Sequence, residues 1–212
     1  MRRRSSLVAL CALGALVLLA CSSDGRALRA PPPGATVRPS PSTTVAAIGN
    51  GSNDGAVIAT ATPEPVLASP AFVDRDPIPT VFTCDAPGAA SPPLAWTALP
   101  PGTVEVAISL VDPDAGGRVH WVVAGIDPSV RSLEQGKVPD GAVQLRNGAG
   151  STGFEPPCPP TGAAPHRYVF TLYALGQPSG LTESAPTSDA LIMLSDGALG
   201  SAMLVGTFQR SG

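Results

Sequence analysis

The feature that most constrains this chain is where its aromatic residues fall. There are nine in 212 residues, and the first is Phe72. A core of ordinary size needs aromatic and large aliphatic volume, so residues 1–71 are expected to hold no domain of their own. The remaining 141 residues, 72–212, suit one domain of common size. Glycine and proline, 23 and 25 in number, exclude a coiled coil, a helix bundle and a collagen-like fibre when read with this division.

The first 71 residues divide again. Arg2, Arg3 and Arg4 precede an apolar stretch of 14 residues, 7–20. At ~1.5 Å per residue that stretch spans roughly 21 Å as a helix, short of a ~30 Å hydrocarbon layer. A signal peptide over 1–20 is therefore expected, not a permanent span. It ends Leu18-Leu19-Ala20-Cys21, which resembles the bacterial lipobox. That resemblance implies that Cys21 becomes the lipidated first residue of an extracytoplasmic, membrane-anchored protein. Residues 21–71, with Pro31-Pro32-Pro33, Pro39, Pro41 and many Ala, Ser and Thr, read as an extended, disordered tether.

Charge excludes one class of partner. Residues 72–212 hold 13 acidic side chains against seven basic ones, a formal net of −6. Nucleic-acid domains carry the opposite excess to neutralise phosphates.

Strand patterns dominate the same region. Segments 104–111, 119–126 and 168–175 are rich in β-branched and aromatic residues, and 79–82, 204–208 and, more weakly, 143–146 are shorter candidates. Helical signal is confined to the stretch after Thr187, where Ser188 is placed to cap a segment 189–194. The reading is a mainly β, antiparallel domain with one or two short C-terminal helices.

The chain has two histidines in all, and both sit at strand ends beside turns. His120 lies in Arg118-Val119-His120-Trp121, after the turn Asp112-Pro113-Asp114-Ala115. His166 lies in Pro165-His166-Arg167-Tyr168, after Pro156-Pro157-Cys158-Pro159-Pro160. If neighbouring strands bring these turns together, one pocket holds Asp112, His120, His166 and Tyr168. Three competing signals are weak. Gly148-Ala149-Gly150-Ser151-Thr152-Gly153 fits a dinucleotide loop, but the prolines that follow forbid the helix such a loop needs. No serine stands in a nucleophile elbow, and the histidines lack metal-ligand spacing.

Five ordered motifs, Ser91-Pro92-Pro93-Leu94-Ala95-Trp96, Asp112-Pro113-Asp114-Ala115, His120-Trp121-Val122-Val123, Cys158-Pro159-Pro160-Thr161-Gly162 and His166-Arg167-Tyr168, resemble the phosphatidylethanolamine-binding protein family, in its bacterial Raf-kinase-inhibitor-like branch. The resemblance implies two antiparallel sheets with peripheral helices. It also implies a small pocket for phosphate, acetate or a phospholipid head group, lined by Asp112, Ala115, His120, Pro159, Pro160, His166 and Tyr168. Tyrosine and imidazole donate to anionic oxygens, whereas Asp112 is expected to orient an imidazole or meet an ammonium group. No catalytic residue, metal or cofactor is expected; the ligand is a small anion or zwitterion. Two other readings are a regulator that binds a partner enzyme, such as a kinase or protease, and a metal-dependent hydrolase. Gly116, Phe154, Pro156 and Ala198 depart from the family's usual proline, tyrosine, glycine and helical histidine. With Cys11 in the leader and Cys21 lipidated, Cys84 and Cys158 are expected to pair in an exported protein.

Overall fold

The computed structural model describes residues 64–211; the expected signal peptide, lipidation site and most of the tether lie outside them. In chain order the strands are β1 (Leu67–Ala68), β2 (Leu94–Trp96), β3 (Glu105–Asp112), β4 (Arg118–Ile126), β5 (Ser132–Leu133), β6 (Val143–Gln144), β7 (His166–Leu175) and β8 (Ala198–Phe208). One α-helix, α1 (Thr187–Asp196), separates β7 from β8. Two antiparallel sheets result: a three-stranded one in the order β1-β2-β5 and a five-stranded one in the order β6-β4-β3-β7-β8. No helix among the described residues is long and apolar enough to cross a membrane.

β3 explains the architecture. Its residues are buried almost without interruption, because both faces of the large sheet are covered. Val106, Ile108 and Leu110 pack between the sheets against Leu94, Trp96 and Leu133 of the small one. Ala107 joins Val122, Ala124 and Leu145 on the opposite face, under Ala190 and Leu194 of α1. A strand covered on both sides loses the polar alternation of a half-exposed one.

Several local expectations change. The segment at 79–82 is a 3₁₀ turn, Thr80–Phe82, not a strand: Phe82 N–H and Thr83 N–H return to the carbonyls of Pro79 and Thr80. α1 starts at Thr187 with no side-chain cap, and Ser188 Oγ turns to Asp189 instead. Ala198 opens β8, so it stands in a strand where the resemblance led to a helix. The candidate at 204–208 is the end of this 11-residue strand. Pairing begins at Leu67, so the folded region reaches back past Phe72, where the aromatics begin. The segment leading from Phe72 then runs parallel to β8, with Pro77 bridging Thr207, and it comes so close that a β carbon on Gly206 would collide with Ile78.

Candidate functional site

Antiparallel order brings the C-terminal end of β3 beside the N-terminal ends of β4 and β7. Asp112 pairs with Arg118, Val111 with Val169, and His166 opens β7. Asp112, His166 and Tyr168 then fall on the inner face by strand alternation, continuing the rows of Leu110 and Phe170.

His120 reaches that face by a different route. Leu110 pairs with Trp121, but the next residue, Val111, pairs with Val119, so His120 is an extra residue in β4. Trp121 packs in the core between the sheets and Val119 against the opposite cluster, although simple alternation would put both on one side. A bulge of this kind re-aims a side chain. Here it sets His120 edge-on to Tyr168, with ring centroids 5.3 Å apart.

The turn between β3 and β4 is anchored by Asp112. Its Oδ1 accepts from the N–H groups of Asp114 and Ala115 at 2.9 and 3.0 Å, and its carbonyl accepts from Gly117 N–H. Gly116 has φ +68°, a left-handed value that proline, fixed near −65°, does not reach. Asp114 is tied to Arg167 by a two-pronged pair, which lowers its pKa to about 2. Across the site, Cys84 and Cys158 form a disulfide, and Cys84 N–H also bonds the Pro157 carbonyl. This staple holds the proline loop over the ends of β4 and β7.

These elements enclose a cavity of about 180 Å³ lined by Asp112, Ala115, Arg118, His120, Glu155, Cys158, Pro159, Pro160, His166 and Tyr168. All seven residues that the resemblance assigned to ligand binding line it. Arg118 and Glu155 complete the rim and were not singled out from sequence; Arg118 stood inside a quoted motif, but nothing marked Glu155 as its partner. Phe154 instead packs edge-on against Trp121, and the motif around Leu94 builds the small sheet.

The polar contacts fix most proton positions. His120 Nδ1 donates to the Glu155 carbonyl at 3.0 Å, and Glu155 N–H returns to the His120 carbonyl at 2.8 Å. His166 Nδ1 lies 2.8 Å from Asp112 Oδ2, so Asp112 orients this imidazole. Arg118 is held by Glu155, with Nε 3.2 Å from Oε2. Two buried atoms that line the site have no partner: His120 Nε2 and Tyr168 Oη. Burial lowers the His120 pKa, which keeps the ring neutral. Burial also raises that of Tyr168, helped by the nearby Asp112 carboxylate, although no hydrogen bond of normal geometry joins the two. Tyr168 is therefore a hydroxyl donor.

Three alternatives lack the necessary chemistry among the described residues. A larger groove, about 470 Å³, lies at the other end of β7 between Gly176, Pro178, Met193 and Leu199, and no charged side chain lines it. No group of three metal-binding side chains converges among the described residues. The glycine-rich segment is a loop folded around Asn147, whose Oδ1 accepts from Ala149 and Ser151 N–H groups.

Comparison with known proteins agrees with this architecture. Residues 68–209 match the family described as Phosphatidylethanolamine-binding protein. A Mycobacterium tuberculosis protein whose name calls it a candidate lipoprotein, LppC, is 42% identical over 145 residues, covering 68% of this chain and 71% of its own. A UPF0098 protein of Methanothermobacter thermautotrophicus is 40% identical over 151 residues, covering 68% of this chain and 98% of its own. The crystal structure of Escherichia coli YbcL, described as a new member of the mammalian PEBP family, superposes with a TM-score of 0.65 at 28% identity. That match covers 69% of this chain and 99% of YbcL.

Proposed function

Since the chain belongs to the phosphatidylethanolamine-binding protein family, we propose that it is a lipid-anchored, extracytoplasmic binding protein whose pocket holds a small anion without turning it over. The anion is phosphate or a phosphate-bearing head group. One observation carries this reading: His120 Nε2 and Tyr168 Oη are buried and unpartnered, on two rings in edge contact that both line the small cavity. A buried polar group without a partner costs about 1–3 kcal/mol, a cost removed by a ligand that accepts from Tyr168 Oη and donates an O–H to His120 Nε2. Binding is favoured over catalysis by the lining itself, which contains no serine or threonine and whose cysteine is in a disulfide. Anchoring is supported by the lipobox at Cys21 and by the name of the LppC relative.

Native mass spectrometry of the purified protein, followed by calorimetry with phosphate and phosphoethanolamine, tests the reading. Tyr168→Phe removes the hydroxyl donor while keeping the ring in place. We expect it to weaken phosphate binding about tenfold, the value of one hydrogen bond to a charged group. Unchanged affinity in Tyr168→Phe, or no binding by the unmodified protein, would overturn it.

A further inference from the structure

The hydrogen-bond roles around the cavity are more restrictive than a general preference for anions. His120 Nδ1 faces a carbonyl, which only accepts, so the proton of the neutral ring is on Nδ1 and Nε2 carries a lone pair. His166 Nδ1 is committed in the same way to Asp112 Oδ2. Asp112 is itself fully engaged, since its other oxygen accepts two backbone N–H groups. Arg118 is held by Glu155 instead of projecting free into the cavity.

The charged groups around His120 come from every element packed on it. Asp112 on β3 and Glu155 on the proline loop are negative, Arg118 on β4 is positive, and the Asp114–Arg167 pair at the rim cancels. Among the lining side chains Asp112 and Glu155 are acidic, and the basic Arg118 is taken up by Glu155. A fully deprotonated phosphate dianion would place an oxygen against the His120 lone pair, close to the Asp112 carboxyl group. Burial of His120 opposes relief by protonating the ring. A ligand suited to the two free atoms has one O–H to give Nε2 and one oxygen to accept from Tyr168.

We propose that the cavity selects a phosphomonoester in its monoanionic form, with the P–O–H donating to His120 Nε2 and a second phosphate oxygen accepting from Tyr168. The proton stays on the ligand and no bond is broken. The phosphate of an ethanolamine-type phospholipid head group is a diester and has no such O–H, so the favoured ligand is a free or terminal phosphomonoester. This rests on the anion-pocket reading above.

Methyl phosphate and dimethyl phosphate, titrated into the purified full-length protein by calorimetry, separate the two classes. At about pH 6, methyl phosphate should bind at least about tenfold more tightly than dimethyl phosphate. As the monoester loses its second proton, whose pKa is near 6, affinity should fall about tenfold per pH unit between about pH 7 and about pH 9. His120→Gln, with an amide N–H able to donate directly, should flatten that fall to less than about threefold overall and narrow the gap between ligands. Dimethyl phosphate binding as tightly as methyl phosphate overturns the inference. So does methyl phosphate affinity that stays level or rises as the dianion forms. The two wild-type titrations decide this even if His120→Gln does not fold. Failure of both ligands and of phosphate to bind at about pH 6 would remove the anion-pocket reading as well.

Discussion

His120 combines near-complete burial, at 2% exposure, with one satisfied and one unsatisfied ring nitrogen. That arrangement has a consequence for stability apart from any ligand. Burial holds the folded-state pKa of His120 below its usual 6.5. When pH falls below 6.5, an unfolded chain protonates this ring and the folded protein resists doing so. The unfolded state then binds more protons, and stability declines on the acid side of 6.5. Thermal melts of the ligand-free protein from about pH 7.5 to about pH 5 should therefore show a falling Tm. The fall should be smaller in His120→Gln, which has no proton to take up. Equal declines in the two proteins would show that the imidazole is not the group responsible. The residue's identity was readable in the sequence, as one of two histidines at strand ends. Its orientation was not: alternation along β4 puts Val119 and Trp121 on one face, and only the extra residue in the pairing with β3 separates them and turns His120 inward.

Among the elements, the long strands announced themselves by composition, and the short ones could not. β1, β2 and β5 have two or three residues each, too few for a period of two to emerge. They exist because the inner face of β3, β4 and β7 needs cover, a tertiary demand that local sequence does not state. The 3₁₀ turn at Thr80–Phe82 was misread for the related reason that Val81 and Phe82 are β-favouring residues in a segment too short to show its geometry. The proline loop has no regular structure, so its position depends on attachment at points along it: Pro157 to Cys84 N–H, Glu155 to His120, and the disulfide. The bridge joins cysteines 74 positions apart, and loop-closure entropy for that separation amounts to about 4 kcal/mol. Paired replacement of Cys84 and Cys158 by alanine should lower unfolding stability in urea by about that amount. Under conditions where the variant remains folded, it should also bind phosphate more weakly, because the bridge no longer fixes the loop that brings Pro159 and Pro160 to the cavity wall. Full stability after replacement would mean that the backbone contacts alone position the loop.

At the scale of the whole chain, the first aromatic, Phe72, lies five residues after Leu67, where strand pairing begins among the described residues. The two scarce histidines both line the cavity, and the ordered motifs contain Asp112, Ala115, Cys158, Pro159, Pro160 and Tyr168 of its lining. What the sequence could not supply was the Arg118–Glu155 pair, whose members are 37 residues apart and become neighbours only when the loop folds back on β4. The described fold accounts for its own core from Leu67 to Phe208, so binding and anchoring should be separable functions. A single acyl chain gives only marginal membrane affinity, on the order of 10⁴ M⁻¹, and stable anchoring needs more than one. If Cys21 carries them, the mature protein made with its own leader in a bacterial host should begin at Cys21 and incorporate a labelled fatty acid. Cys21→Ser should lose the label and leave the membrane fraction. The affinity of the released variant for phosphate should match that of the parent, because the described lining of the cavity comes from residues between Asp112 and Tyr168. An unlabelled parent whose first residue lies elsewhere would refute the anchor and leave the pocket untouched. Lost phosphate affinity in a folded Cys21→Ser variant would instead make the N-terminal region part of the binding unit.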